Sequence, residues 1–339
     1  MRGYVVGGGN IAHSLAAKLS LTMPVTVVSR RPAEWSKRMS FRQGGTTVKS
    51  SYDVMATSDA SVLSDAEFVF VALPQFAIEE VLDKIGLCLN AGSTVVFVPA
   101  PARISRYAVS LGLRGVKVVG IQRVPFVARI EEYGRTVNVS DDRSVHKIVV
   151  SEQSLTGVWT ERCSRWFGGR VKCLSSFLAL AFSNSNPLLH PSRLVVLFDD
   201  WRNKFYACNP PFYGEWTDAS SELYLNADRE MKEVMSRYPI DMERDYECVL
   251  DHYGVKTAHE LTCKLHTIPS FKTILSPMIQ TADGWKPDFS SRYFTEDVQF
   301  GLAEMLGLAD NASVAVPTMR ALYDRVVGLQ CDVKGDVRN

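Results

Sequence analysis

The stretch that most restricts the fold lies at the start of the chain: "RGYVVGGGNIAHSLAAKLS", residues 2–20. A short apolar run leads into Gly7-Gly8-Gly9. An alanine- and leucine-rich segment with helical character follows, and then "MPVTVVSRR", a second apolar run. This is the pattern of a βαβ unit. Within it Gly7, Gly9 and Ala12 match G-x-G-x-x-G/A. The first glycine permits the tight turn, the second lets backbone approach a pyrophosphate, and the small third residue lets helix pack on strand. Asn10 and Ile11 open the helix, where exposed N–H groups and the positive end of the helix dipole favour phosphate. A glycine-rich structural turn would look the same in isolation. The flanking strand, helix and second strand favour a dinucleotide site.

The end of the second run bears on which dinucleotide is bound. An acidic residue there would hydrogen-bond an adenosine ribose 2′-OH and repel a 2′-phosphate. This chain has Ser29-Arg30-Arg31 instead, which donate to a phosphate with charge assistance, so NADP(H) is expected in preference to NAD(H). The runs "EFVFVALPQ", "STVVFVPAP" and "VKVVGIQRVPF" are continuously apolar, as strands covered on both faces are. They extend a doubly wound α/β sheet. Leu73 and Pro74, just past one of these strands, are expected to border the nicotinamide.

After "HKIVVS" and "RVKCLSS" strand character fades. The expected division is a Rossmann-type dinucleotide-binding domain over 1–176 and a mainly helical substrate domain over 177–339. "TDASSELYLNADREMKEVMSRY" has apolar residues at helical spacing beyond Thr217, a candidate cap. The 38 basic and 37 acidic residues nearly cancel to a net charge of +1, and no long like-charged block occurs. Nucleic acid and anionic lipid are therefore poor partners, and a small molecule is the better one. The apolar run "FLALAF" is too short to span a bilayer, glycines stand where a signal peptide keeps its apolar region, and the seven cysteines have no metal-ligand spacing. A soluble, cytoplasmic chain with reduced thiols and no bound metal is expected.

"NSNPLLHPSRL", residues 184–194, sets one of only six histidines between two prolines. Taken alone, it suits a capped helix start with an incidental imidazole. With "NPLLHP" followed by "FYGEWTDASSELYLNAD" and "DFSSRYFTEDVQFGL", however, the chain resembles the octopine and nopaline dehydrogenase family over nearly its whole length. The resemblance implies a two-domain NAD(P)H enzyme that reductively condenses the amine of an amino acid with a 2-oxo acid. Carried over by motif, it implies His190 as the catalytic histidine, Asp297 as its partner and Arg292 as a carboxylate binder. Asn186 of the same motif and Arg129 of "VPFVAR" join them as substrate-site candidates.

The chemistry asks for such residues independently. Histidine titrates near neutrality and suits proton transfer at a carbon receiving hydride, a carboxylate holds its tautomer, and arginine grips a carboxylate with a planar fork. Thr295 or a neighbour is expected to cap a helix that carries Asp297 in its first turn. Two other classes stay open on sequence: a two-domain reductase of the ketopantoate reductase type, and a dinucleotide-binding protein without turnover. Also open are the amine, from a proteinogenic amino acid to a metallophore precursor, the oxo acid, and the oligomeric state, a homodimer included.

Overall fold

The computed structural model describes residues 1–201 and 204–335. The chain divides into two units, Met1–Ser183 and Asn184–Asn339.

In the first unit the strands are β1 (Gly3–Val6), β2 (Val25–Val28), β3 (Ser40–Gln43), β4 (Thr46–Lys49), β5 (Val54–Thr57), β6 (Phe68–Val71), β7 (Thr94–Phe97), β8 (Lys117–Ile121), β9 (Phe126–Glu132), β10 (Thr136–Asp142), β11 (Val145–Val150) and β12 (Arg170–Cys173). The helices are α1 (Asn10–Leu19), α2 (Gln75–Gly86), α3 (Ile104–Gly112), α4 (Thr156–Phe167) and α5 (Phe177–Phe182). Eight of the strands form one sheet in the order β12-β11-β8-β7-β6-β1-β2-β5. From β5 to β8 every pairing is parallel, and the continuously apolar strands β1, β6 and β7 are buried on both faces. The chain order reverses at β1, whose Val6 pairs with both Val28 of β2 and Val71 of β6. A doubly wound sheet binds its ligand beyond the strand ends at such a reversal.

A smaller sheet in the order β4-β3-β10-β9 has no counterpart in the sequence-based expectation. It covers the side of α1 turned away from the main sheet, so α1 packs on β1 and β2 and also on β3, β9 and β10. That double cover explains its composition. Ala12, Leu15, Ala16, Ala17 and Leu19 are buried, because a helix enclosed on most sides needs small apolar residues all round. Helix α5 packs on α3, β8 and β11, so the division between the units falls one short helix after the composition shift near Phe177.

The second unit is built around α6 (Asn186–Leu197), with α7 (Asp218–Ser236), α8 (Met242–Asp245), α9 (Val249–Tyr253), α10 (Ala258–Thr267), the hairpin β13 (Met278–Thr281) and β14 (Gly284–Pro287), α11 (Arg292–Thr295), α12 (Ala303–Asn311) and α13 (Pro317–Gly335). Every residue of α6 from Pro187 to Val195 is buried, and α7 and α13 pack against it. Thr217 caps α7 by accepting a hydrogen bond from the Ser220 N–H, as its sequence implies. No helix among the described residues is long and apolar enough to cross a membrane. Six cysteines are free, and Cys331 lies outside the described side chains.

Candidate active site

The first unit presents the dinucleotide cradle. Gly7 has φ +141°, and a Cβ there would lie 2.5 Å from the Ala72 carbonyl oxygen, so only glycine lets the β1 turn pass the end of β6. At Gly9 an added Cβ would meet nothing within 4 Å, and no side chain caps α1. Open backbone and an uncapped helix start suit a pyrophosphate. Ala12 is fully buried in the α1 contact with the sheet, and Ile11 packs against the same core. The Asn10 side chain is turned away from the helix axis, and its Oδ1 accepts the Ile130 N–H of β9 at 2.8 Å. Leu73 and Pro74 follow β6 after Ala72, with Pro74 at the cap position of α2.

Ser29, Arg30 and Arg31 separate into different environments. Ser29 is buried, and its Oγ lies 3.1 Å from where a Cβ on Gly8 would stand, with the Tyr133 hydroxyl 2.8 Å from the same point. Arg30 is exposed, and its charge is felt by Glu80. Arg31 lies over the Tyr133 ring at 3.8 Å and pairs with Glu34 at 3.3 Å. Two hydroxyls, of Ser29 and Tyr133, and the Arg31 cation stand beside the glycine turn, with Glu34 paired to the arginine.

In the second unit His190 lies inside helix α6, one turn after its start at Asn186. Pro187 occupies the second helical position, where its missing N–H costs nothing, and Pro191 continues the helix after the histidine. His190 is 2% exposed. Its Nδ1 lies 2.7 Å from Asp297 Oδ2 and its Nε2 lies 3.0 Å from the Tyr213 hydroxyl. With Asp297 ionised, Nδ1–H donates to the carboxylate and Nε2 accepts the tyrosine O–H. A charge-assisted bond of this kind in low dielectric holds one tautomer and one ring orientation.

Asp297 reaches this position by a different route from the expected cap. Thr295 Oγ1 donates to the Ser291 carbonyl and caps nothing. The chain from Arg292 runs through α11 into a π-helical stretch, Asp297–Leu302, and on into α12. The Gly301 N–H donates to the Glu296 carbonyl at 2.9 Å, the five-residue spacing of a π turn. A Cβ on Gly301 would lie 2.5 Å from Pro187 Cγ, so the π stretch and α6 meet where neither can yield. This close approach is what sets Asp297 against His190.

Arg292, five residues earlier, is exposed and makes no side-chain hydrogen bond or ion pair among the described residues. Its charge reaches both Tyr213 and Tyr293. Asn186 lies one helical turn before His190 on α6 and is half-buried. Arg129 belongs to the first unit, exposed on β9, where it donates to the Ala128 carbonyl. Thus His190 and Asp297 meet directly, Arg292 and Asn186 stand in the same unit, and Arg129 does not.

Two aromatic residues of this centre were not singled out by sequence. Tyr213 is 4% exposed, and burial pushes its hydroxyl pKa well above the ordinary tyrosine value, with Tyr293, Tyr253 and Asp297 adding to the shift and Arg292 opposing it. Tyr293 lies 4.1 Å from the His190 ring and stacks on Phe212 at 5.0 Å. Both fall inside the stretches "FYGEW" and "SSRYF", and the signal that could have found them is a hydroxyl-bearing aromatic next to each marker.

Residues 173–327 match the alpha-helical domain of NAD/NADP octopine/nopaline dehydrogenases, and residues 4–101 match the NADP oxidoreductase, coenzyme F420-dependent, family. Tauropine dehydrogenase of Arabella iricolor is 25% identical over 354 residues, covering 94% of this chain and 89% of its own. This chain carries the alpha-helical domain of the octopine/nopaline dehydrogenase family. It is accordingly an NAD(P)-dependent oxidoreductase of the class acting on CH–NH bonds. Among solved structures, octopine dehydrogenase with NADH and L-arginine shares the fold at a TM-score of 0.84 and 23% identity, covering 96% of this chain and 88% of the other. Yersinopine dehydrogenase with bound NADP+ shares it at 0.73 and 14%, covering 100% and 93%.

Proposed function

We propose that this chain is an NADPH-preferring opine dehydrogenase, which condenses the amine of an amino acid or related amine with a 2-oxo acid and reduces the adduct to an N-(carboxyalkyl) amino acid. The observation that carries this reading is the buried His190–Asp297 pair with the exposed, unpaired Arg292 in the same unit. The reduced dinucleotide supplies hydride to the carbon that bears the new C–N bond. The chain's own residues handle charge and protons around that carbon.

Arg292 grips a substrate carboxylate with two parallel N–H donors, and Asn186 adds an amide on the same side of α6. His190 starts protonated in the reductive direction. As the free amine adds, the C=O π bond opens and its oxygen takes the proton, leaving imidazole with Nδ1–H on Asp297; the hydroxyl then takes a proton from the added nitrogen and departs as water, so that C=N is the bond the hydride reduces. In the oxidative direction the imidazole takes that proton back. Asp297 stabilises the charge on the ring.

For the cofactor, Ser29 and Arg30 receive the 2′-phosphate while Gly7, Gly9 and the start of α1 receive the pyrophosphate. Relatives of this fold are seen with NADH and with NADP+, so the residues at the end of β2 carry the preference. Oxidation of NADPH by the purified protein with 2-oxo acids, run with and without amino acids, tests the proposal. An absolute amine requirement supports it. Amine-independent reduction points to a reductase of the ketopantoate type, and tight NADPH binding without turnover to a binding protein.

A further inference from the structure

Both ring nitrogens of His190 are taken within the protein. Nδ1 is held by Asp297 at 2.7 Å, and Nε2, the nitrogen left to exchange a proton with a substrate, faces the Tyr213 hydroxyl at 3.0 Å. An imidazole nitrogen has one lone pair or one hydrogen, so Nε2 serves one partner at a time. A substrate could replace Tyr213 only if the tyrosine moved aside, and its surroundings oppose that. Phe271 stacks on its ring at 4.0 Å and 17°, Trp216 lies parallel at 5.9 Å and 13°, and Phe212 meets its edge at 5.0 Å and 84°. Tyr213 is 4% exposed and packed by rings on several sides.

The phenol oxygen is different in kind from the imidazole nitrogen. While donating its hydrogen to Nε2 it keeps lone-pair capacity, and it can accept from Nε2–H while donating onward. The Arg292 charge, in the same unit, opposes the upward shift of its pKa. Burial disfavours a free tyrosinate here, which suits a hydroxyl that passes protons and does not give up its own for long.

We propose that Tyr213 is a catalytic residue whose hydroxyl carries the proton between His190 Nε2 and the oxygen on the reacting carbon of the oxo acid. The proposal rests on the reading of His190 as the acid–base group. In the reductive direction the amine adds to the carbonyl carbon, forming the C–N bond and moving the π electron pair onto oxygen. That oxygen takes the Tyr213 hydroxyl proton while the tyrosine oxygen takes the proton from Nε2–H. One C–N bond and two O–H bonds form as the π bond, one O–H bond and one N–H bond break. The tyrosine is regenerated as a neutral phenol, and His190 ends as neutral imidazole.

Tyr213→Phe keeps the ring and its stacking and removes only the relay atom. It is expected to lower kcat into the range of His190→Ala, about 10²–10⁴-fold, with an unchanged melting temperature and NADPH affinity. The unmodified protein supplies a second readout that needs no variant. In H2O/D2O mixtures its single-turnover rate should curve with deuterium fraction, as two protons in flight require. If His190→Ala is inactive while Tyr213→Phe retains kcat within threefold, or if the mixture plot is linear, direct transfer from the imidazole replaces the relay. If His190→Ala itself retains turnover, the acid–base reading fails and the relay with it.

Discussion

His13 in the first unit and His190 in the second are both buried, at 0% and 2% exposure, and each has both ring nitrogens engaged. Their partners differ in kind. His13 Nε2 accepts the Gly134 N–H at 2.8 Å and its Nδ1 donates to the Gly9 carbonyl at 3.0 Å, while its ring stacks on Trp35 at 4.2 Å. Those partners are backbone groups that cannot change protonation, so the imidazole is locked neutral as a strut between the start of α1 and the β9–β10 turn. Burial accordingly lowers its pKa, with the Arg31 charge adding to the effect and the Gly9 carbonyl opposing it. His190 instead faces a carboxylate and a phenol, groups able to stabilise a positive ring or accept its proton. Burial alone does not separate a structural histidine from a chemical one; the identity of the hydrogen-bond partners does.

The comparison is broken most severely at His190. His190→Ala is expected to cut kcat by about 10²–10⁴-fold while leaving NADPH affinity and folding intact, as steady-state kinetics and melting curves would show. Asp297→Asn should also slow turnover. The double variant should lose less than the product of the two singles, because residues acting as one unit are non-additive. Gly301→Ala attacks the same pair indirectly by forcing the π stretch off Pro187, and a lower kcat with unchanged NADPH affinity is the expected result.

Smaller effects are expected at the recognition residues. Arg292→Lys keeps the charge and loses the planar fork, so KM for a carboxylate substrate should rise while cofactor binding stays constant. Arg30→Ala should narrow an NADPH over NADH preference of about tenfold to a hundredfold, chiefly by weakening NADPH, since one charge-assisted contact contributes about 1.5–3 kcal/mol. Equal catalytic efficiency with both cofactors in the unmodified protein contradicts that assignment.

The smallest effect belongs to His13 and appears in stability. Its folded pKa lies below the usual imidazole value of 6.5, so its contribution is complete above that value. As pH falls from about 6.5 through the lowered folded pKa, the unfolded chain takes up the proton first and stability is lost. His13→Phe retains the stack on Trp35 and removes the titration. The melting-temperature gap between the two proteins should therefore narrow on acidification, and a gap independent of pH between 7 and about 5 would show that His13 does not titrate on unfolding.

The glycine turn and the buried strands were legible in the sequence because each follows from local chemistry: φ at Gly7 and double burial of β1 and β6. His190, Asp297 and Arg292 came from the family resemblance of their motifs, since each residue alone suits a structural role as well. The small β4-β3-β10-β9 sheet was not legible, since its strands are partly exposed and its two hairpins are joined by a parallel pairing of β3 with β10 across nearly a hundred residues. The expected helix cap before Asp297 failed for a related reason. Thr295 bonds backward to Ser291, and the chain continues as a π turn whose position depends on contact with Pro187, more than a hundred residues earlier in sequence. Tyr213 is marked locally only as a hydroxyl-bearing aromatic inside "FYGEW", which does not say what its hydroxyl meets. Its meaning comes from Nε2 of a histidine on another element.

The central claim is that hydride ends on a carbon joined to nitrogen. The most direct measurement supplies NADPH deuterated at the transferred position of its nicotinamide, with a 2-oxo acid and an amino acid, and locates the label by mass spectrometry and NMR. The account predicts a secondary amine carrying one deuterium on the carbon derived from the oxo acid, formed by the unmodified protein and lost with His190→Ala. A deuterated 2-hydroxy acid, formed whether or not the amine is present, would contradict it.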